Sequence, residues 1–172
     1  CENEHANHIL DVTTVPADVP AAVSDAARTL AMRVMQALDV VGVLAVEMFV
    51  VPAAYGHGKP AGDWRLIINE LAPRPHNSGH FSVDACVTDQ FEQQLRAVCG
   101  LSLGDPSLRA GGAAMANLLG DLWFDKSGAR REPDWSRIPD MPDVQLPLYG
   151  PAAPPVRRQM GPLSLTAATP PA

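Results

Sequence analysis

The sequence predicts an α+β fold: an antiparallel sheet with helices, followed by a small β-rich region. Three observations carry that prediction. Val23, Ala27, Leu30, Val34 and Leu38 recur at three- and four-residue steps, the period of a helix that turns one face to a core. Two runs, Val43 to Val50 and Trp64 to Glu70, are dense in β-branched and large apolar residues, and a Pro- and Gly-bearing connection separates them. Beyond Gly120 the chain turns charged, irregular and Pro-rich, with short strand-like runs at Gln145 to Tyr149 and Leu163 to Thr166.

Composition bounds the function. The chain has 172 residues, of which 47% are hydrophobic and 19% charged, enough for one ordinary domain or one domain and part of another. A net charge of -6 argues against a general nucleic-acid or membrane-surface binder, while local cations can still hold phosphate. Cys1, Cys86 and Cys99 show no metal-ligand spacing and read as reduced core thiols of a cytoplasmic protein. No apolar run is long enough to span a bilayer. The opening Cys1-Glu2-Asn3-Glu4-His5 lacks Met and any signal-peptide pattern, so a start inside a longer protein is expected.

In chain order, Cys1 to Leu10 is polar and rich in ligand-type atoms, and Asp11 to Val19 reads as a linker. Asp18 is the candidate N-cap of the first helix, with Pro20 in its first turn. The helix should run to about Asp39, with Arg28 and Arg33 on the wet side. Gly42 ends the pattern, and Val43 to Val50 reads as a strand buried on both faces. Glu47 is the anomaly in it. A buried, unpaired carboxylate costs several kcal/mol, so a cation or a metal should face it. Trp64 to Glu70 should place Trp64, Leu66, Ile68 and Glu70 on one face, antiparallel to the first strand. Glu47 and Glu70 then lie on neighbouring strands, with the register left open by the long connection. Two carboxylates and the Asn69 carbonyl suit magnesium, which prefers oxygen ligands and shares them with phosphates.

The stretch Asn69-Glu70-Leu71-Ala72-Pro73-Arg74-Pro75-His76-Asn77-Ser78-Gly79-His80 concentrates the chemistry. Pro73 and Pro75 donate no backbone hydrogen bond and push their neighbours toward extended geometry. The expected product is a stiff loop holding polar side chains for an anion or a metal-bound phosphate. His76 and His80 have a zinc-binding spacing only on a helix, which Pro75 disfavours. An imidazole beside an arginine fits anion binding and proton handling. Asp89 to Cys99 reads as a second helix, with an Asp89/Glu92 capping box, an apolar stripe of Phe91, Leu95 and Val98 at core positions, and Gly100 at its end. Ala113 to Leu119 reads as a strand in preference to a short helix. A Pro-rich loop carries Arg157 and Arg158, and Thr169 to Ala172 should fray.

The Asn69 to His80 stretch strongly resembles the signature of the 5-(carboxyamino)imidazole ribonucleotide synthase family, ATP-grasp ligases of purine biosynthesis. Glu2-Asn3-Glu4-His5, Val41 to Val50, Asp84-Ala85-Cys86, Gln90-Phe91-Glu92, Asn117 to Asp121, Leu148-Tyr149-Gly150 and Arg158 with Met160-Gly161 extend the likeness over nearly the whole chain. The resemblance implies that residues 1–100 are the C-terminal part of an ATP-grasp domain and residues 101–172 a small C-terminal β-rich domain with a Pro-rich tail. It implies ATP-dependent carboxylation of aminoimidazole ribonucleotide by bicarbonate, with ATP and magnesium as cofactors and carboxyphosphate as intermediate. It gives Arg74 and His76 the catalytic anion, and His5, Asn69 and Glu70 the ATP site. Glu47 and Glu70 would hold magnesium, Asn77 and Ser78 would shape the substrate pocket, and Arg158 would hold the ribonucleotide phosphate. The family's N-terminal half, with its ATP-phosphate lysines, is absent, so the chain alone is expected to be inactive and to need that half as a partner. A homodimer stays open. No nucleic-acid or membrane partner is expected.

Three departures stand out. Pro151 follows Tyr149-Gly150 where the family has lysine, Gln159 and Pro162 flank Met160-Gly161 where it has lysine and histidine, and His8 occupies a usual glycine position. A non-catalytic relic that binds a nucleotide or anion is the alternative reading. An unrelated metal-dependent hydrolase is a third.

Overall fold

Hydrogen bonding along the chain closes two antiparallel sheets in a computed structural model that describes residues 1–6, 8–55, 57, 60–148 and 159–168. These residues pack as two compact units. The first holds residues 1–17, 77–89 and 106–172, and the second holds 18–76 and 90–105. The units interleave along the chain, whereas the division expected from sequence falls at one point. That division follows family modules, and the units follow packing.

The first unit is built on a five-stranded sheet in the order β1-β2-β5-β7-β6. Its strands are β1 (Glu2–Ala6), β2 (Ile9–Val15), β5 (Gly112–Leu119), β6 (Val144–Gln145) and β7 (Gln159–Ala167). The polar terminus and linker expected over residues 1–19 are instead largely a β-hairpin. The Val12-Thr13-Thr14-Val15 run was the local signal for it. Its burial comes from β5, a hundred residues downstream, where Val12 pairs with Ala116. Thr13 is fully buried. Small residues on β5 admit close neighbours, and the buried Asn117 is satisfied by donating Nδ2 to the Leu10 carbonyl at 2.7 Å. Leu118, Trp123 and Met160 form a core against which Phe124, Trp135, Leu146 and Leu163 pack. The charged stretch after β5 contributes structure. Both oxygens of Glu132 accept indole N–H bonds, from Trp123 at 3.0 Å and Trp135 at 2.9 Å. The unit also holds the short helix α2 (Ser82–Ala85).

The second unit contains α1 (Ala21–Ala37), β3 (Ala45–Pro52), β4 (Trp64–Ala72) and α3 (Gln90–Val98). Pro20, not Asp18, occupies the N-cap of α1, and its carbonyl accepts from Val23 and Ser24. Val23 is the buried anchor of the α1 stripe. The helix ends in paired bonds, Val40 N–H to Met35 and Asp39 N–H to Gln36, with Asp39 left-handed at φ 51. Helix α3 ends in the same way on Gly100, at φ 67, the residue expected there. Its stripe residues Phe91, Leu95 and Val98, expected in the core, are instead exposed.

β3 and β4 form a two-stranded ribbon, with α1 packed against β4. The expectation that β3 is buried on both faces fails. Phe49 is 55% exposed and Val50 38%. A two-stranded ribbon lacks the further strands and layers that would cover both faces. Of the three thiols expected in the core, one is there. Cys86 is buried, and that burial raises its pKa above the ordinary thiol value, Arg109 opposing the shift. Cys1 and Cys99 are exposed. No helix among the described residues is long and apolar enough to cross a membrane.

Candidate functional site

A β-bulge builds the carboxylate pair. Across the β3–β4 ribbon Glu47 is the register partner of Glu70, while Met48 is the partner of Ile68. Asn69 is therefore the extra residue. A bulge puts two residues opposite one and interrupts the period of two. Glu70 consequently leaves the face shared by Trp64, Leu66 and Ile68, where sequence alternation put it, and joins the face of Glu47. Asn69 is turned the same way, since its Nδ2 donates to Glu47 Oε2 at 3.1 Å. Glu47 is half-buried, and Asn69 and Glu70 are exposed.

Like charges directly opposite on a ribbon repel. A cation on that face relieves the repulsion, and all available donors are oxygens, the chemistry magnesium prefers. Among the described residues no three or more His, Cys, Asp or Glu side chains gather into a metal cluster. His76 and His80 do not form a helical zinc pair. A single 3-10 turn, Asn77–Gly79, separates them.

Downstream of Glu70 the ribbon ends at Ala72, and the proline-flanked loop follows. Arg74 is exposed, its N–H donates to the Ala72 carbonyl at 2.9 Å, and its Nη1 donates to the Pro75 carbonyl at 3.0 Å. His76 is half-buried, and its main chain is held on both sides by Gln90. The His76 N–H donates to Gln90 Oε1 at 2.9 Å, and Gln90 Nε2 donates to the His76 carbonyl at 2.9 Å. Val43, at the entry to β3, donates its N–H to Gln94 Oε1 at 2.7 Å. Gln90 was named from sequence only within the Gln90-Phe91-Glu92 likeness, with no role, and Gln94 only as part of its helix. Nothing in the periodicity of α3 marks them.

The remaining candidates lie in the first unit. His5 is exposed on β1, opposite Leu10. Asn77 and Ser78 occupy the 3-10 turn, with Ser78 buried. The Asn69 to His80 stretch thus divides after His76 between the two units. Arg158, Arg157 and Tyr149-Gly150-Pro151 lie outside the described residues. An open apolar groove of the second unit, about 500 Å³, is lined by Met35, Val41, Leu44 and Leu103, and it brings no reactive groups together.

The ATP-grasp domain model matches residues 1–91, and the chain belongs to the ATP-grasp family. Within it, the chain is a homologue of N5-carboxyaminoimidazole ribonucleotide synthase. It is 40% identical over 149 residues to the Synechocystis enzyme of that name, covering 87% of this chain and 37% of the relative. The crystal structure of an ADP complex of an N5-carboxyaminoimidazole ribonucleotide synthetase superposes with a TM-score of 0.79 at 36% identity, over 97% of this chain and 39% of that one. The Aspergillus clavatus N5-carboxyaminoimidazole synthase in complex with ADP and 5-aminoimidazole ribonucleotide gives 0.78 at 27% identity, over 97% and 42%. The chain therefore spans well under half the length of the proteins it matches.

Proposed function

We propose that this chain supplies the anion- and metal-binding part of an ATP-dependent carbon–nitrogen ligase. The ligase carboxylates 5-aminoimidazole ribonucleotide with bicarbonate, giving the 5-carboxyamino product, ADP and phosphate. The observation that carries the reading is the Asn69 bulge, which turns Glu47 and Glu70 to one face just before the Arg74–His76 loop. Homology to enzymes crystallised with ADP and with the ribonucleotide supports it.

Glu47 and Glu70 would hold magnesium, with Asn69 steadying Glu47 through its amide. Bound there, the metal supplies charge neutralisation on the transferring phosphoryl group. Arg74 presents a planar fork of donors that can grip bicarbonate, or the carboxyphosphate formed from it, through two hydrogen bonds. Its attraction grows as negative charge develops on the anion, which is the condition for catalysis. His76 stands two residues away and can hold or accept a proton at an imidazole nitrogen as the ribonucleotide amine loses one. His5 would serve the nucleotide, Asn77 and Ser78 the substrate pocket, and Arg158 the ribonucleotide phosphate. The compartment would be the cytoplasm.

A second reading, a relic that binds an anion without turnover, has one observation in its favour. Pro151 stands where the resemblance implies a lysine, so a phosphate contact expected of the family would be lost. ADP release discriminates the two. The chain by itself should release no ADP. Completed with the ATP-binding part of the Synechocystis homologue, it should release ADP only when bicarbonate and the ribonucleotide are both present. Binding of the ribonucleotide without any ADP release would select the relic.

A further inference from the structure

Helix α3 carries no residue to which the functional reading gives a role, yet three of its glutamines hold main chain elsewhere in the second unit. Gln90 makes two bonds to His76, both 2.9 Å. Gln93 makes two to Gly104, donating to its carbonyl at 2.7 Å and accepting from its N–H at 3.1 Å. Gln94 accepts from Val43 at 2.7 Å. A primary amide offers one donor edge and one acceptor edge, as a residue of a neighbouring strand does. Glutamine can therefore replace a missing strand neighbour.

His76 needs such a neighbour. It lies beyond Ala72, the last residue of β4, and before Asn77, the first residue of the 3-10 turn, so it belongs to neither element. Pro73 and Pro75 bring no N–H to the local network. Gln90 is the first residue of α3, and the helix behind it anchors its side chain.

We propose that Gln90 is a positioning residue: its amide fixes the His76 main chain and thereby the directions in which Arg74 and His76 meet the anion. The role in turnover rests on the functional reading above. The clamp itself does not. Gln93 is a control within the same helix, because it makes the same two-bond contact to a loop with no assigned chemistry.

Two measurements test the proposal. The first is amide hydrogen exchange on the 172-residue chain. Gln90→Ala should speed exchange at His76 by about tenfold, the effect of one lost hydrogen bond, and leave Gly104 unchanged. Gln93→Ala should do the reverse. The second is bicarbonate-dependent ADP release by the chain completed with the ATP-binding part of the Synechocystis homologue. Gln90→Ala should lower kcat by about tenfold with KM for ATP within about twofold, because misplacement of reacting groups is felt in turnover. Gln93→Ala should keep kcat within about twofold. Gln90→Glu retains the size and the acceptor for the His76 N–H but loses the donor to its carbonyl, and its kcat should fall between; it carries the test if the alanine variant fails to fold. Wild-type kcat in both Gln90 variants, or equal losses at Gln90 and Gln93, overturns the proposal. If the completed wild type releases no ADP, the functional reading fails separately. Unchanged protection of His76 in Gln90→Ala would then overturn the clamp.

Discussion

Arg74 sits between two prolines, so its main chain has few directions open before any anion arrives. Its side chain is exposed and rests on the Pro75 carbonyl, a contact that water can replace. Lysine keeps the charge but loses the planar two-bond fork. Arg74→Lys should lower turnover of the completed enzyme by at least about tenfold, roughly 1.4 kcal/mol of transition-state stabilisation. The unfolding midpoint should stay in place. Equal ADP release with and without the substitution would remove Arg74 from the chemistry. His8 offers a test of local strain. It occupies a position where glycine is expected from the resemblance, and it is left-handed at φ 65. That conformation is unfavourable for a residue with a Cβ, though histidine tolerates it better than most. His8→Gly should stabilise the chain by about 0.5 kcal/mol, the relief of strain being partly offset by glycine's greater unfolded-state entropy. A lower midpoint in urea would show that the turn uses the imidazole.

At the scale of elements, the bulge of β4 is the decisive feature. It moves Glu70 onto the face of Glu47 and leaves two negative charges opposed across a ribbon. Their repulsion is of the order of 0.5 kcal/mol in an exposed setting. Two outcomes with opposite signs follow for Glu70→Gln. Without divalent metal it should raise stability by about 0.5 kcal/mol. With millimolar magnesium the wild type should gain melting temperature by mass action, and the variant should not. A parallel magnesium titration of both proteins by thermal unfolding checks both signs. A wild type indifferent to magnesium would remove the metal role from this pair. The α1 terminus makes a related point about elements. Asp39 closes it in the left-handed conformation where glycine or asparagine usually stands, so the helix end is held by hydrogen bonds and not by residue preference.

For the molecule as a whole, acid should weaken the first unit through the stretch between β5 and β6. Asp125 is held below the ordinary carboxylate range, first by the Ser127 hydroxyl and then by the backbone N–H groups of Ala129 and Ser127. Asp134 is lowered too, first by the backbone N–H of Ser136. A folded-state value below the unfolded one means that the unfolded chain takes up protons first. Stability from these turns is therefore complete above the unfolded carboxylate range and is lost as pH falls through the lowered folded value. The urea midpoint should fall as pH drops below about 4. Asp125→Asn should flatten that limb by lowering the plateau near neutral pH toward the acid value. An unchanged acid limb would place the acid sensitivity elsewhere.

What the sequence determined by itself was local. The periods of α1 and α3, the Gly100 terminus and strand β5 were readable because each depends on near neighbours. The candidate set, Glu47 and the run from Asn69 to His80, was named from side-chain chemistry, which is also local information. Tertiary structure alone decided the rest. Strands β1 and β2 looked like a polar terminus and a linker because their pairing partner lies on the distant β5. The alternation rule put Glu70 on the wrong face because a bulge breaks the period of two, and only pairing with β3 reveals the extra residue. The clamp of Gln90 on His76 was hidden for the same reason. A hydrogen bond across fourteen residues depends on where two elements pack, and no local pattern records that.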